Sequence, residues 1–352
     1  MENKNFTIST VKGIAILLVV YGHIIQRTML ASGEDFFLNP AFKIIYTFHM
    51  PLFVFISGYL MTLSLGRRSV REVFKARCQT LLVPFLSWTI LGVITTQALK
   101  MIDGKKVSIA DVPRDFVNDL ILHPSIWFLF TLFVSVCLLL SSITLEKRVG
   151  LIAFVLVFVP VALIPFNDYC SLFYIKWFYG FYAAGYFWSR LGIQITKPLI
   201  KNAMMVMILI LFALLASLWD KGDYIYINKM NFVSENYFFE LGRMGYRYLS
   251  GFLGIGAAFI AAAYLSNTRL QRVFETIGVF SLDIYLIQRY VVEGLYPRFV
   301  APLRLSFDFN SPFFFFVFVP LMTALFTGVC IGASAMVIRK TPLLNRLLLG
   351  GR

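Results

Sequence analysis

The stretch Ile8-Ser9-Thr10-Val11-Lys12-Gly13-Ile14-Ala15-Ile16-Leu17-Leu18-Val19-Val20-Tyr21-Gly22-His23-Ile24-Ile25 decides how the rest of the chain is read. It is 18 residues long and almost wholly apolar, about what an α-helix needs to cross the hydrocarbon core of a bilayer. It has no compact basic start and no Ala-x-Ala-like cleavage site, and similar stretches follow it. It therefore reads as a first membrane span and not as a secretory signal. Two of its residues are out of place in lipid: Lys12 toward one end and His23 toward the other.

The composition extends that reading to the whole chain. Of 352 residues, 59% are hydrophobic and 14% charged, with a mean hydropathy of +0.77. Soluble domains hold about 45–50% apolar and about 25% charged residues. So large an apolar excess does not fit one water-facing core. Apolar runs of about membrane-spanning length predict ten spans, near 8–26, 44–65, 79–99, 124–145, 149–166, 170–189, 202–219, 248–267, 277–292 and 312–338. The expected fold is all-α, a polytopic membrane helix bundle forming one integral membrane domain over residues 1–352. The four cysteines are scattered with no Cys-x-x-Cys pair, and read as free thiols. Three dispersed histidines assemble no recognisable metal site.

The net charge of +14 would suggest nucleic acid in a soluble chain. Here topology accounts for it. With both termini placed in the cytoplasm, 18 of the 32 basic residues and 4 of the 18 acidic ones fall on that side. The densest group, Arg67, Arg68, Arg71, Lys75 and Arg77, then faces the cytoplasm, as the positive-inside rule favours. No nucleic-acid partner is expected.

Lys12 and His23 are eleven residues apart, within about 20° of three helical turns, so they share one helix face about 16 Å apart. His49 opens the second span just before Met50-Pro51, and comes to a depth comparable with His23. Pro51 lacks an N–H, which deprives the Thr47 carbonyl of its helical partner. Two imidazoles at one depth beside an irregular backbone point to a site. His123, in His-Pro-Ser-Ile-Trp, and Trp127 lie at the expected outer end of the fourth span, where an aromatic ring can stack on a sugar. Asp283 with Arg289, and Arg243 with Arg247, read as structural polar groups.

The segment Thr10 to His23, with ten residues between Lys12 and His23, closely resembles the opening of the membrane acyltransferase-3 family. Phe48-His49-Met50-Pro51-Leu52-Phe53-Val54-Phe55-Ile56-Ser57-Gly58-Tyr59-Leu60 is similar to that family's second span. Lys75-Ala76-Arg77 leading to Leu81-Leu82-Val83-Pro84-Phe85, and Trp127-Phe128-Leu129, match later stretches. Phe181 to Tyr186 and Ser281 to Tyr285 do so as well. The chain departs from the pattern at Thr80, where the family often has arginine, and at Gln288, where it often has histidine.

The resemblance implies a bacterial inner-membrane O-acyltransferase that modifies surface polysaccharides such as O-antigen. The donor would be acyl-CoA, most simply acetyl-CoA, used as substrate with no bound cofactor. The acceptor would be a hydroxyl of the glycan or its lipid-linked precursor. The arginines and lysines from Arg67 to Arg77, with Lys12, offer charge-assisted hydrogen bonds to the donor. Imidazole titrates near neutrality, so His23 suits a general base or an acyl carrier. His49 would orient it or stabilise developing negative charge. A glycan or small-molecule transporter, or flippase, would also use intramembrane charges, but two related halves with broken spans are not evident. No soluble-enzyme signature such as Gly-x-Ser-x-Gly competes.

Overall fold

The structure, a computed structural model, describes residues 2–104, 111–122, 124–164, 169, 172–192, 198–225, 227, 236–303 and 308–351. Among these it is helical, with no strand. The first helices are α1 (Glu2–Ala31), α2 (Pro40–Leu65), α3 (Val70–Arg77), α4 (Val83–Ile102) and α5 (Asp111–Val117). Next come α6 (Trp127–Val149), α7 (Ala153–Leu163), α8 (Leu172–Leu191), α9 (Pro198–Ser217) and α10 (Tyr237–Leu265). The last are α11 (Arg269–Val279), α12 (Ser281–Gln288), α13 (Tyr296–Leu303), α14 (Val319–Ala333) and α15 (Pro342–Leu348). Wider π-helical turns bridge several of them, including Arg289–Leu295 between α12 and α13.

Six helical stretches among the described residues are long and apolar enough to cross a membrane. The chain is a multi-pass membrane protein. One of the six, Trp127–Leu163, is too long for a single crossing, and it folds back on itself. The Tyr179 hydroxyl lies 3.3 Å from Ser142 Oγ of α6, and the Tyr179 ring centroid 5.0 Å from that of Phe158 in α7. In one straight helix those 16 residues would span about 24 Å. The turn comes at Gly150, whose φ of 70° belongs to the left-handed region that glycine tolerates. The sequence reading divides its fourth and fifth spans slightly earlier, between residues 145 and 149. The predicted ninth span is interrupted instead: it runs through α11, breaks at Phe280, and continues as α12 and the π turn.

The chain packs as two compact units. The first comprises Met1–Ile56, Leu191–Asn228 and Gly242–Val337. In it α1 is packed by α11, α13 and α14. Glycines set the closest approach. A Cβ on Gly13 would stand 2.0 Å from the Phe274 carbonyl oxygen, and one on Gly278 would stand 2.0 Å from that of Ser9. Two backbones touch there with no side chain between them, which fixes α1 against α11. The Tyr21 hydroxyl donates to the Phe315 carbonyl at 2.8 Å, and Asp283 accepts from the Ser334 hydroxyl.

The second unit comprises Ser57–Arg190, Lys229–Leu241 and Ile338–Arg352. α3 starts on a capping box. The Ser69 hydroxyl accepts from the Glu72 N–H at 3.3 Å, and Glu72 accepts from the Ser69 N–H at 2.8 Å. The α15 segment returns to α4, where Trp88 Nε1 donates to the Leu348 carbonyl at 2.8 Å. Lys176, buried in α8, donates to the Ile164 carbonyl.

Candidate active site

The site is built on one face of α1. His23 and Arg27 are four residues apart and so lie one above the other. Opposite them, in the same unit, stand Gln288 at the end of α12 and Glu293 in the π turn. His23 Nδ1 is 2.9 Å from Gln288 Oε1 and 3.5 Å from Glu293 Oε1. Gln288 Nε2 donates to Glu293 Oε1 at 3.2 Å, and Arg27 Nη2 donates to Glu293 Oε2 at 3.1 Å. Thr28 seats α1 against α13, its Oγ1 being 2.7 Å from the Tyr296 hydroxyl.

The π turn is what aligns Gln288 with Glu293. In an α-helix residues five apart point about 140° away from each other. In the wider turn, hydrogen-bonded between residues five apart, they come into register. The Tyr296 N–H donates to the Val291 carbonyl in that pattern.

These contacts fix a proton. Arg27 holds Glu293 as a carboxylate, which only accepts hydrogen bonds. Gln288 must therefore turn its NH₂ toward Glu293 and its carbonyl oxygen toward His23. That oxygen also only accepts, so His23 donates from Nδ1, which leaves the lone pair of a neutral ring on Nε2. Gln288 is 1% exposed, and its orientation is protected from water. The His23 side chain is 19% exposed, so the ring stays accessible.

His49 is brought alongside by Gly22. A Cβ on Gly22 would stand 2.9 Å from the Tyr46 ring, so only glycine lets α2 approach α1 so closely. The Tyr46 ring is 4.6 Å from that of His49. His49 is buried, and its Nδ1 donates to the Ile45 carbonyl at 2.7 Å. In the neutral ring this leaves the lone pair on Nε2. Of the two roles the sequence suggested for His49, stabilising an oxyanion requires a protonated ring, whereas orienting a neighbour does not.

The other expected residues lie as follows. Lys12 is half-buried on α1. Arg67 and Arg68 are exposed in the turn before α3, and Arg71 and Lys75 are exposed on α3. Arg77 is half-buried, with Nη2 donating to Ser64 Oγ at 3.1 Å. Trp127 is half-buried, with one ring face covered by Tyr174, stacked at 3.8 Å and 11°. His123 lies outside the described residues. Arg243 stands 3.6 Å from Asp223, and Arg247 donates to the Gly222 carbonyl at 2.9 Å, so both are held by polar groups in the first unit. Sequence reading missed Arg27, Gln288 and Glu293 as members of the site. The available signal was Gln288 itself, the position where the resemblance leads one to expect histidine.

A helical membrane protein with a partly exposed histidine hydrogen-bonded to a buried glutamine beside a carboxylate is what these observations define. The model of the family described as an acyltransferase domain matches residues 5–334, and the chain belongs to that acyltransferase family. Two curated relatives are each named nodulation protein NolL. The one from Sinorhizobium fredii (strain NBRC 101917 / NGR234) is 29% identical over 302 residues, covering 82% of this chain and 78% of the relative. The one from Mesorhizobium japonicum (strain LMG 29417 / CECT 9101 / MAFF 303099) is 29% identical over 295 residues, covering 82% and 76%. No solved structure matches the chain.

Proposed function

We propose that the protein moves an acyl group, most simply acetyl, from acyl-CoA to a hydroxyl of a surface glycan or its lipid-linked precursor. It would do so in a bacterial cytoplasmic membrane, with ten spans and both termini inside. Family membership supports the acyl transfer, and the resemblance of residues 10–60 supports the glycan and the thioester donor. The observation that carries the mechanism is the hydrogen-bond chain from Arg27 through Glu293 and Gln288 to His23.

His23 Nε2 takes the proton of the acceptor hydroxyl as its oxygen attacks the thioester carbonyl. The carbon–sulfur bond breaks, and the departing thiolate receives that proton from Nε2. While His23 is protonated, the Glu293 carboxylate 3.5 Å from Nδ1 stabilises its charge. Arg27, Gln288 and Glu293 are positioning residues, and His49 is one that acts through its neighbour. Arg67, Arg68, Lys75 and Arg77 supply cations for the donor's phosphates, and Lys12 a further one on α1. Trp127 offers its half-buried ring, stacked on Tyr174, to a sugar.

The test is purified protein in lipid, given labelled acetyl-CoA and candidate glycans. Label in the glycan supports the proposal. Movement of unmodified glycan across the membrane, with no label transferred, refutes it.

A further inference from the structure

The second unit holds a cavity of about 820 Å³ between α3 and α6. Each wall is a single helix face. On α3, Arg71 and Phe74 recur at one-turn spacing, and on α6 so do Leu140, Thr144 and Arg148. The floor is apolar, with Leu140 buried and Phe74 left 42% exposed at its edge. The mouth is cationic, because Arg71, Lys147 and Arg148 are all exposed there.

None of these three cations has a carboxylate partner among the described residues. The nearest acidic groups in sequence are committed elsewhere: Glu146 to Arg190 at 2.8 Å, and Glu72 to the Ser69 cap at 2.8 Å. The charge at the mouth is therefore unanswered by any carboxylate among the described residues.

The position along α6 adds a second constraint. That helix carries no charge from Trp127 to Leu145 and then changes to Glu146-Lys147-Arg148. Such a change marks the level where hydrocarbon gives way to headgroups. A cleft that is apolar on one side of this level and cationic at it suits a ligand divided the same way. A free small anion would leave the apolar floor uncovered. A zwitterionic lipid would bring its own cation to a mouth already carrying three.

We propose that this cleft binds one anionic membrane phospholipid, its phosphodiester against Arg71, Lys147 and Arg148 and an acyl chain along Leu140 and Phe74. Arg71 thereby belongs to this cleft and not to the donor's cations. The inference rests on the cleft alone and stands whether or not His23 is the base.

The test uses the full chain in mild detergent, titrated with phosphatidylglycerol or phosphatidylcholine, with retained lipid counted by native mass spectrometry. One phosphatidylglycerol should be held at least about tenfold more tightly than phosphatidylcholine, and Lys147→Gln and Arg148→Gln should each weaken it about fivefold. Ser141→Trp, at an exposed position lining the cleft, should remove the bound lipid without changing charge. Equal retention of the two lipids would overturn the proposal, and so would undiminished retention in all three variants. Displacement of the lipid by an equal concentration of coenzyme A would also overturn it, by assigning the cleft to the donor.

Discussion

Around His23, polar groups answer one another: the Arg27 guanidinium meets the Glu293 carboxylate, which meets the Gln288 amide, which meets the imidazole. At the α3–α6 cleft in the other unit, three exposed cations meet no carboxylate among the described residues. Both are costly arrangements near lipid, and they are resolved oppositely. The first is largely paired within itself, with Arg27 Nε left over, so its geometry favours one seat for a proton. The second is left open, so its charge is satisfied only when a ligand brings an anion. On the proposed reading, the paired network prepares chemistry and the open cleft selects a partner.

The sharpest way to break this contrast is His23→Ala, which should lower acyl transfer by about 10²- to 10⁴-fold with insertion and lipid retention unchanged. Full activity in that variant would end the catalytic scheme. Glu293→Gln should follow, with a loss of about a hundredfold in kcat and little change in KM, because it frees the Gln288 amide to turn over. A purely structural role would instead lower the thermal midpoint and leave the surviving fraction fully active. Gly22→Ala forces the Tyr46 ring to give way and separates the two histidines. A loss of about tenfold is expected, read as kcat per correctly folded protein. The smallest effect is that of salt. Raising ionic strength from 0.05 to about 0.5 M should weaken phosphatidylglycerol at the exposed cleft several-fold while leaving kcat at the enclosed His23 network nearly constant.

The contrast also explains what could be read from the amino acids. Helix after helix follows from apolar run length, and even the reversal at Gly150 lies where polar Glu146-Lys147-Arg148 divides two apolar stretches. Lys12 and His23 declare themselves because lone ionisable groups in an apolar helix stand out. Glu293 does not. It lies just beyond the run ending near 292, where a carboxylate reads as an ordinary interfacial residue. It joins the site only through a π turn, and no 3.6-residue periodicity announces one. Arg27 was hidden in the same way, past the apparent end of a helix that continues to Ala31. Gln288 was visible only as a departure from a familiar pattern, and its meaning needed the partner on each side. The basic residues from Arg67 to Arg77 read as one cluster, yet Arg71 lines the cleft with Lys147 and Arg148 while Arg77 is bonded to Ser64.

The account depends most on which nitrogen of His23 carries the proton. Protein labelled with ¹⁵N at its three histidines, in lipid at a pH where the rings are neutral, allows that to be read from the ring nitrogen shifts, with His23→Ala assigning the signal. The structure predicts a protonated Nδ1 and a bare Nε2 at His23, and a mixture of tautomers in Gln288→Leu. A bare Nδ1 with the proton on Nε2 in the unaltered protein would contradict it.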